Sequence, residues 1–156
     1  MTNKILIFSA TFNEAENIEE FLSTIEHLNL NLDILIIDDY SPDGTWKIIE
    51  NYSKNKKNIK LIVRNKKEGL DTAHKTAFEY AIDNNYEFLI TLDADLSHDP
   101  KKIPEFINEL KRLFFATITK PKRHPVVPKY LLKEKTSIVF FGHVSIKELY
   151  CFTKGA

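Results

Sequence analysis

Tyr86-Glu87-Phe88-Leu89-Ile90-Thr91-Leu92-Asp93-Ala94-Asp95-Leu96-Ser97-His98-Asp99-Pro100 is the stretch whose reading decides the fold. Phe88 to Leu92 has the length and apolar composition of a buried strand. It breaks into two carboxylates, Asp93 and Asp95, with one small residue between them. In extended backbone alternate side chains point the same way, so both acids project together from the strand's carboxyl end. Two like charges side by side in a cleft are costly without a cation between them. Oxygen-only ligands of that kind suit a hard divalent ion, Mg2+ or Mn2+. The plainer alternative is that Asp-Ala-Asp ends a strand, with Asp99-Pro100 starting the next helix.

Upstream, the chain alternates. Lys4 to Ala10 reads as a first buried strand, and Asn13-Glu14-Ala15-Glu16-Asn17 as the acidic opening of a helix. Ile18, Phe21, Leu22, Ile25 and Leu28 then recur at helical spacing. Leu32 to Ile37 is a second strand ending in Asp38-Asp39, and Tyr40 to Thr45 has turn chemistry. A helix over Thr45 to Ser53, a strand over Ile59 to Val63 and a helix over Thr72 to Asn84 lead into the Asp-x-Asp strand. A helix from Ile103 to Leu113 follows it. This β-α-β-α-β-α-β-α order predicts an α/β fold: a mostly parallel sheet with helices on both faces, ending after the fourth βα unit. Ligands in such sheets sit beyond the carboxyl ends of the strands, where strand order reverses. Glu14, Asp38, Asp39, Asp93 and Asp95 all fall there.

The 156 residues suit one domain with a real core. Lys/Arg and Asp/Glu balance at 22 each, yet unevenly. Residues 1–110 carry 12 basic against 20 acidic side chains, a net −8, and the remainder carries the compensating +8. The expected division is therefore a domain over 1–112 and a basic, Pro-containing tail over 113–156. The lone Cys151 excludes an internal disulfide framework and suits a reducing compartment. Ile5 to Ala10 is too short for a secretory leader, and Ile138 to Val144 is far below the ~20 residues of a spanning helix.

Four glycines, at 44, 69, 142 and 155, exclude a Gly-x-Gly-x-x-Gly turn after the first strand and a phosphate-cradling Gly-Lys-Ser/Thr loop. A bound diphosphate would have to be held mainly by a metal on Asp93 and Asp95. An acid at the end of strand two is placed to take a ribose hydroxyl or base edge. The residues thus point to a nucleoside-diphosphate site bridged by a divalent ion.

Ala10-Thr11-Phe12-Asn13-Glu14, Asp38-Asp39-Tyr40-Ser41-Pro42-Asp43-Gly44-Thr45, Gly69-Leu70 with Ala73, and Asp93-Ala94-Asp95-Leu96-Ser97-His98 occur in that order. Together they resemble the family 2 glycosyltransferases of the Rossmann-like GT-A fold, most closely the dolichol-phosphate (polyprenol-phosphate) mannosyltransferase branch, over about residues 3–110. The resemblance implies a GDP-mannose or UDP-sugar donor, Mg2+ or Mn2+, and a polyprenyl phosphate acceptor at the cytoplasmic membrane face. By position, Thr11, Phe12, Asn13 and Glu14 line the nucleoside pocket, Asp38 or Asp39 contacts base or ribose, and Gly69 belongs to the nucleotide site. Asp93 and Asp95 approach metal and diphosphate as the catalytic pair. The chain departs from the pattern at Ala10, where proline is common, at Phe12 for tyrosine, and at Asp71 for a second glycine. Past Arg112 the motifs stop.

The tail contains the Pro-rich link Lys120 to Lys129, with a strand expected over Thr136 to Val144 and a short helix over Ser145 to Phe152. It reads either as a basic surface for anionic lipid or as a segment without an evolved role. A partner chain supplying the acceptor half is the matching expectation; nucleic acid is not. His98 is read as a loop residue beside the acids, Lys66, Lys67 and Arg64 as a solvated loop, and Trp46 as core packing. The competing functions are a non-catalytic nucleotide-binding half domain, a phospho-acceptor receiver built on Asp38, Asp39 and Asp93, and a phosphatase reading Asp93 as nucleophile.

Overall fold

In the computed structural model of the chain, the described residues are 4–109 together with the strands Ser137–Phe140 and Cys151–Phe152. Strand β1 (Ile5–Thr11), helix α1 (Ile18–His27), β2 (Leu32–Asp38), α2 (Thr45–Ser53), β3 (Ile59–Val63), α3 (Leu70–Asp83) and β4 (Phe88–Thr91) follow one another. A 3-10 turn, Pro100–Lys102, leads into a helix at residues 103–109 (α4), and β5 (Ser137–Phe140) and β6 (Cys151–Phe152) complete the sheet.

The sheet order is β3-β2-β1-β4-β5-β6, with every pairing parallel except β5 with β6. Strand order therefore reverses at β1: the chain steps outward through β2 to β3, then returns to lay β4 on β1's other side. With right-handed crossovers, reversing the direction of travel puts the later helix on the opposite face. The two cores show this for α1 and α3, whereas α4, which also follows the reversal, packs on the face of α1. Ile5 and Ile7 of β1, Leu32, Ile34 and Ile36 of β2, and Phe88 and Ile90 of β4 pack with Ile18, Phe21, Leu22 and Ile25 of α1 and with Ile103, Phe106 and Ile107. The alternate residues Leu6, Phe8, Leu35, Ile37 and Leu89 pack with Ala73, Ala77, Phe78 and Ala81 of α3. A strand covered on both faces needs an unbroken apolar run rather than alternation, and Ile34-Leu35-Ile36-Ile37 is such a run.

Several boundaries differ from the sequence expectation. The first helix opens at Ile18 rather than at Asn13. Asn13 sits in the left-handed region at φ 64, which a right-handed helix excludes. The amides of Glu14 and Ala15 donate to Thr45 Oγ1 (2.9 Å) and Asp43 Oδ2 (3.0 Å), so they are committed to the loop after β2. Helix α3 starts two residues early, at Leu70, behind Gly69, whose φ 90, ψ 163 is a conformation essentially open to glycine alone. At the end of the Asp-x-Asp stretch, Asp99 does cap the following turn, accepting from the Lys101 amide at 3.0 Å.

Beyond the four βα units, β5 extends the sheet in register with β4 (Phe88 opposite Ser137, Thr91 opposite Phe140), within the strand expected over Thr136 to Val144. Cys151–Phe152 form strand, paired with Val139 and Ile138, in place of the end of the expected short helix; pairing to a neighbouring strand overrides a weak local helical pattern. The remainder of that expected helix, the link over 120–129 and the division at 112/113 lie outside the described residues. No helix among the described residues is long and apolar enough to cross a membrane.

Candidate functional site: an acidic rim at the reversal of strand order

The carboxyl ends of β2, β1 and β4 lie side by side. Thr11 is level with Asp38, Phe8 is level with Thr91, and the Leu92 amide continues the ladder to the Phe8 carbonyl at 2.9 Å. The loops Phe12–Glu14, Asp39–Thr45 and Asp93–His98 therefore leave one edge of the sheet, where the strand order reverses.

Asp38 is fully buried, and both of its oxygens are engaged within the chain. Oδ2 accepts from the Thr11 hydroxyl and the Ser41 hydroxyl, each at 2.7 Å, and Oδ1 accepts from the Ser41 amide at 2.8 Å. Ser41 Oγ in turn accepts from the Asn13 amide at 3.0 Å. Asp43 extends this network, accepting from the Thr45 amide (3.0 Å) and hydroxyl (2.6 Å). Burial alone would raise the Asp43 carboxyl; the Thr45 hydroxyl and amide and the Ala15 amide outweigh it and hold the group below the usual carboxylate range. Residues 11–15 and 38–45 are thus one hydrogen-bonded unit. Glu14 takes part through its backbone, while its side chain accepts from Asn17 Nδ2 at 3.0 Å.

Asp39 points the other way. It forms a nearly buried ion pair with Arg64, and its Oδ2 accepts from the amides of Glu68 and Gly69, each at 3.2 Å. Arg64 also donates to the Gly69 carbonyl at 3.1 Å. Arg64 is therefore no part of a solvated loop: it pins the segment after β3 to the end of β2. That pinned loop carries Lys67, whose ammonium lies 3.9 Å from the Phe12 ring centroid. The Lys67–Phe12 contact joins the loops after β3 and β1, the strands on either side of β2. Sequence reasoning missed Arg64 and Lys67, because nothing local marks which base of Arg64-Asn65-Lys66-Lys67 meets an acid 25 residues upstream. Trp46 also differs from expectation: it is half-exposed, not core, and stacks on Tyr40 with centroids 5.9 Å apart and planes 15° from parallel.

β4 ends at Thr91 and the chain turns at Ala94–Asp95 rather than staying extended; Asp93 and Asp95 are exposed and Ala94 between them is buried. Asp93 is 57% exposed, with His98 Nδ1 at 3.2 Å from its Oδ2. Asp95 accepts from the Ser97 amide at 2.9 Å. The Ser97 hydroxyl and amide, ahead of the nearby His98, hold the Asp95 carboxyl below the usual carboxylate range. Ser97→Ala removes the hydroxyl, so the Asp95 carboxyl should titrate at higher pH than in the parent chain. Carboxyl carbon shifts followed by NMR across pH 2–6 (a range of about two units either side of an ordinary carboxylate) read this directly; an unchanged midpoint contradicts it.

No group of three or more His, Cys, Asp or Glu side chains among the described residues is arranged to cage a metal. The two exposed carboxylates nonetheless fit the donor chemistry of Mg2+ or Mn2+ in phosphate sites. Such ions keep several waters and take one or two carboxylates plus substrate oxygens rather than a closed protein shell.

The doubly wound α/β sheet belongs to a class of fold whose ligands sit beyond the carboxyl ends of the strands, where strand order reverses. Within that class, the family model of Glycosyl transferase family 2 matches residues 7–144, and the chain belongs to that family. The match runs past the point near Leu110 where the sequence motifs stop, and takes in β5. A dolichol-phosphate mannosyltransferase of Pyrococcus furiosus is 37% identical over 110 residues, 69% of this chain and 30% of that protein. Among solved structures, the mannosyltransferase PcManGT of Pyrobaculum calidifontis, in complex with GDP-Man and Mn2+, aligns with a TM-score of 0.53 at 24% identity. That alignment covers 61% of this chain and 28% of that one, and shows a shared fold, GT-A. S. aureus TarS 1-349 in complex with UDP-GlcNAc aligns with a TM-score of 0.54 at 25% identity, over 68% of this chain and 31% of that one. The chain spans between 30% and 44% of the length of the curated relatives it matches.

Proposed function

We propose that this chain binds a nucleotide sugar, GDP-mannose or a UDP-sugar, at the rim between β1 and β4, with Mg2+ or Mn2+ on Asp93 and Asp95, and that the sugar is destined for a polyprenyl phosphate. The observation that carries this reading is the pair of exposed carboxylates leaving the strand next to β1 at the reversal of sheet order. Thr11 to Glu14 and Asp39 border the nucleoside side of that rim, with Gly69 fixed beside Asp39 by its amide. A divalent ion there would neutralise charge building on the leaving diphosphate as the sugar bond breaks. The hydrogen bonds from Ser97 favour the ionised form of Asp95, the form a cation requires.

The choice of donors follows the solved neighbours, one with GDP-Man and Mn2+ and the other with UDP-GlcNAc. The acceptor follows the Pyrococcus relative, whose name specifies dolichol phosphate. A polyprenyl phosphate is already anionic, so its attack on the sugar needs little help from a general base. Transfer, the membrane face of the cytoplasm as its location, and a contribution from further chain or a partner are parts of the same proposal. A nucleotide-binding unit without turnover is the second reading, favoured by the span of under half of each relative.

Calorimetry of GDP-mannose, UDP-glucose and UDP-GlcNAc with and without Mn2+ tests the binding. One donor should bind in Mn2+ and weaken at least tenfold (about 1.4 kcal/mol) in excess EDTA. Binding of none, or binding indifferent to metal, overturns the proposal. Sugar transfer to a short polyprenyl phosphate separates transferase from binding unit.

A further inference from the structure

The loops leaving the carboxyl ends of β1, β2, β3 and β4 each pass through a residue at positive φ: Asn13 at 64, Tyr40 at 56, Gly69 at 90 and Leu96 at 61. At the opposite edge the positive-φ residues among the described ones are Asn29 and Asn85. Each follows the C-terminal cap of a helix, α1 or α3, with its amide bonded back to a helix carbonyl (Glu26 at 3.0 Å, Ile82 at 3.1 Å). That is an ordinary helix ending, and asparagine tolerates it.

Tyr40 and Leu96 are the bulky side chains of this set, and a bulky residue in the left-handed region is strained. Such strain persists only where the surroundings over-determine it, and it gathers at functional positions. For Tyr40 the surroundings are polar: the Asp38 carboxylate holds the next residue through the Ser41 amide at 2.8 Å. For Leu96 they are apolar. Ala94, 2% exposed, belongs to the core cluster shared by α1 and α4, and the half-buried Leu96 packs against that cluster. Asp93, Asp95 and Ser97, which alternate with these two, are exposed. The Ser97 amide reaches back across Leu96 to Asp95 Oδ1 at 2.9 Å. The loop is thus pinned at two apolar points, and the second is pinned in a backbone that leucine resists.

We propose that Leu96 is the positioning residue of the acidic pair: packed on the core in a left-handed turn, it fixes how Asp95 leaves the loop beside Asp93 before any ligand arrives. The proposal rests on the reading of Asp93 and Asp95 as the metal carboxylates, and adds to it what sets their geometry. Leu96 touches neither cation nor donor; it acts through the backbone of its neighbours. A loop already held in its binding conformation loses less freedom when a ligand docks, and that difference appears as affinity. Side chain and backbone contribute separately. The apolar bulk holds the loop to the core, and the left-handed turn aims the Asp95 carboxylate and brings the Ser97 amide onto it.

Three substitutions in the full chain separate the two contributions. Leu96→Gly suits the left-handed backbone and removes the apolar bulk. Leu96→Ile keeps the bulk, but its β-branch opposes that backbone. Leu96→Met keeps the bulk on an unbranched stem. Without ligand, exchange of the Ser97 amide proton, followed by NMR, should be slowed in the parent chain and in Leu96→Met. In Leu96→Gly and Leu96→Ile it should rise to the rate of an unbonded, exposed amide. Calorimetry in Mn2+ then uses whichever of GDP-mannose, UDP-glucose and UDP-GlcNAc the parent binds. Its Mn2+-dependent affinity should fall about tenfold in Leu96→Gly and Leu96→Ile, and stay at the parent's value in Leu96→Met. Circular dichroism establishes that the variants are folded. Lower melting temperatures with parent-like Ser97 exchange and affinity would make Leu96 a packing residue alone and overturn the proposal. So would a Leu96→Met chain that behaves as Leu96→Gly does. A parent chain that binds none of the donors overturns the donor reading, and the Ser97 amide, read without ligand, still decides this one.

Discussion

Asp95→Ala should abolish the metal-dependent part of donor binding while leaving the fold intact. Asp95 is exposed, and its partners Ser97 and His98 belong to the same loop, so removing its carboxylate orphans no buried group. Mutations of groups that merely orient metal ligands cost ~10–100-fold in affinity. Loss of one of two proposed ligands should therefore cost at least about a hundredfold in the Mn2+-dependent affinity for the donor. The melting temperature should move by no more than about 2 °C, as for surface substitutions generally. Asp93→Ala should behave similarly in binding and additionally remove the carboxylate facing His98. Unaltered Mn2+-dependent binding in both variants would remove these two residues from the site.

Asp38→Ala should do the reverse: unfold much of the domain before any question of binding arises. The carboxylate is buried and satisfies the Thr11 hydroxyl, the Ser41 hydroxyl and the Ser41 amide. Each buried donor left without an acceptor costs about 1–3 kcal/mol, so the three together cost about 4 kcal/mol even near the low end of that range. Against a typical stability of roughly 5–15 kcal/mol, that is a large part of the whole. The melting temperature should fall by roughly 15–30 °C. Asp38→Asn keeps the shape and one carbonyl acceptor, and hydroxyls can rotate to meet an amide, so its cost should be nearer to about 1–2 kcal/mol. If Asp38 instead served the nucleoside directly, Asp38→Asn would weaken donor binding with little change in melting temperature. The two outcomes are distinguishable on the same samples.

The comparison of sequence and structure turns on how far apart the interacting residues are. The exposure of Asp93 and Asp95 is legible because acids that follow a buried strand leave the core with it; the turn at Ala94–Asp95, where extended backbone was expected, is not. The sheet is legible because the runs Lys4–Ala10, Leu32–Ile37, Ile59–Val63 and Phe88–Leu92 are short and mainly apolar; β1, β2 and β4 are buried, and β3, at the edge of the sheet, is only partly so. The roles of Asp38 and Asp39 are not legible. In sequence they are twin acids ending a strand. In the fold one is enclosed by Thr11, 27 residues away, and the other is neutralised by Arg64, 25 residues away, because three parallel strands bring their ends level. Helix α1 starts late for the same reason: the amides of Glu14 and Ala15 go to side chains of the loop after β2. Composition alone places Trp46 inside; the left-handed turn at Tyr40, which sets an outward ring for the indole to stack on, carries no mark in the sequence.

Paramagnetic broadening of backbone amide resonances by Mn2+ in the presence of GDP-mannose tests the central claim most directly, that a cation and a donor meet at the rim where strand order reverses. The account predicts loss of the signals of residues 12–14 and 93–98. It predicts that residues 84–86, at the opposite edge where Tyr86 donates to Asp33 at 2.7 Å, remain sharp. Broadening centred on that opposite edge, or spread evenly over the chain, would contradict it.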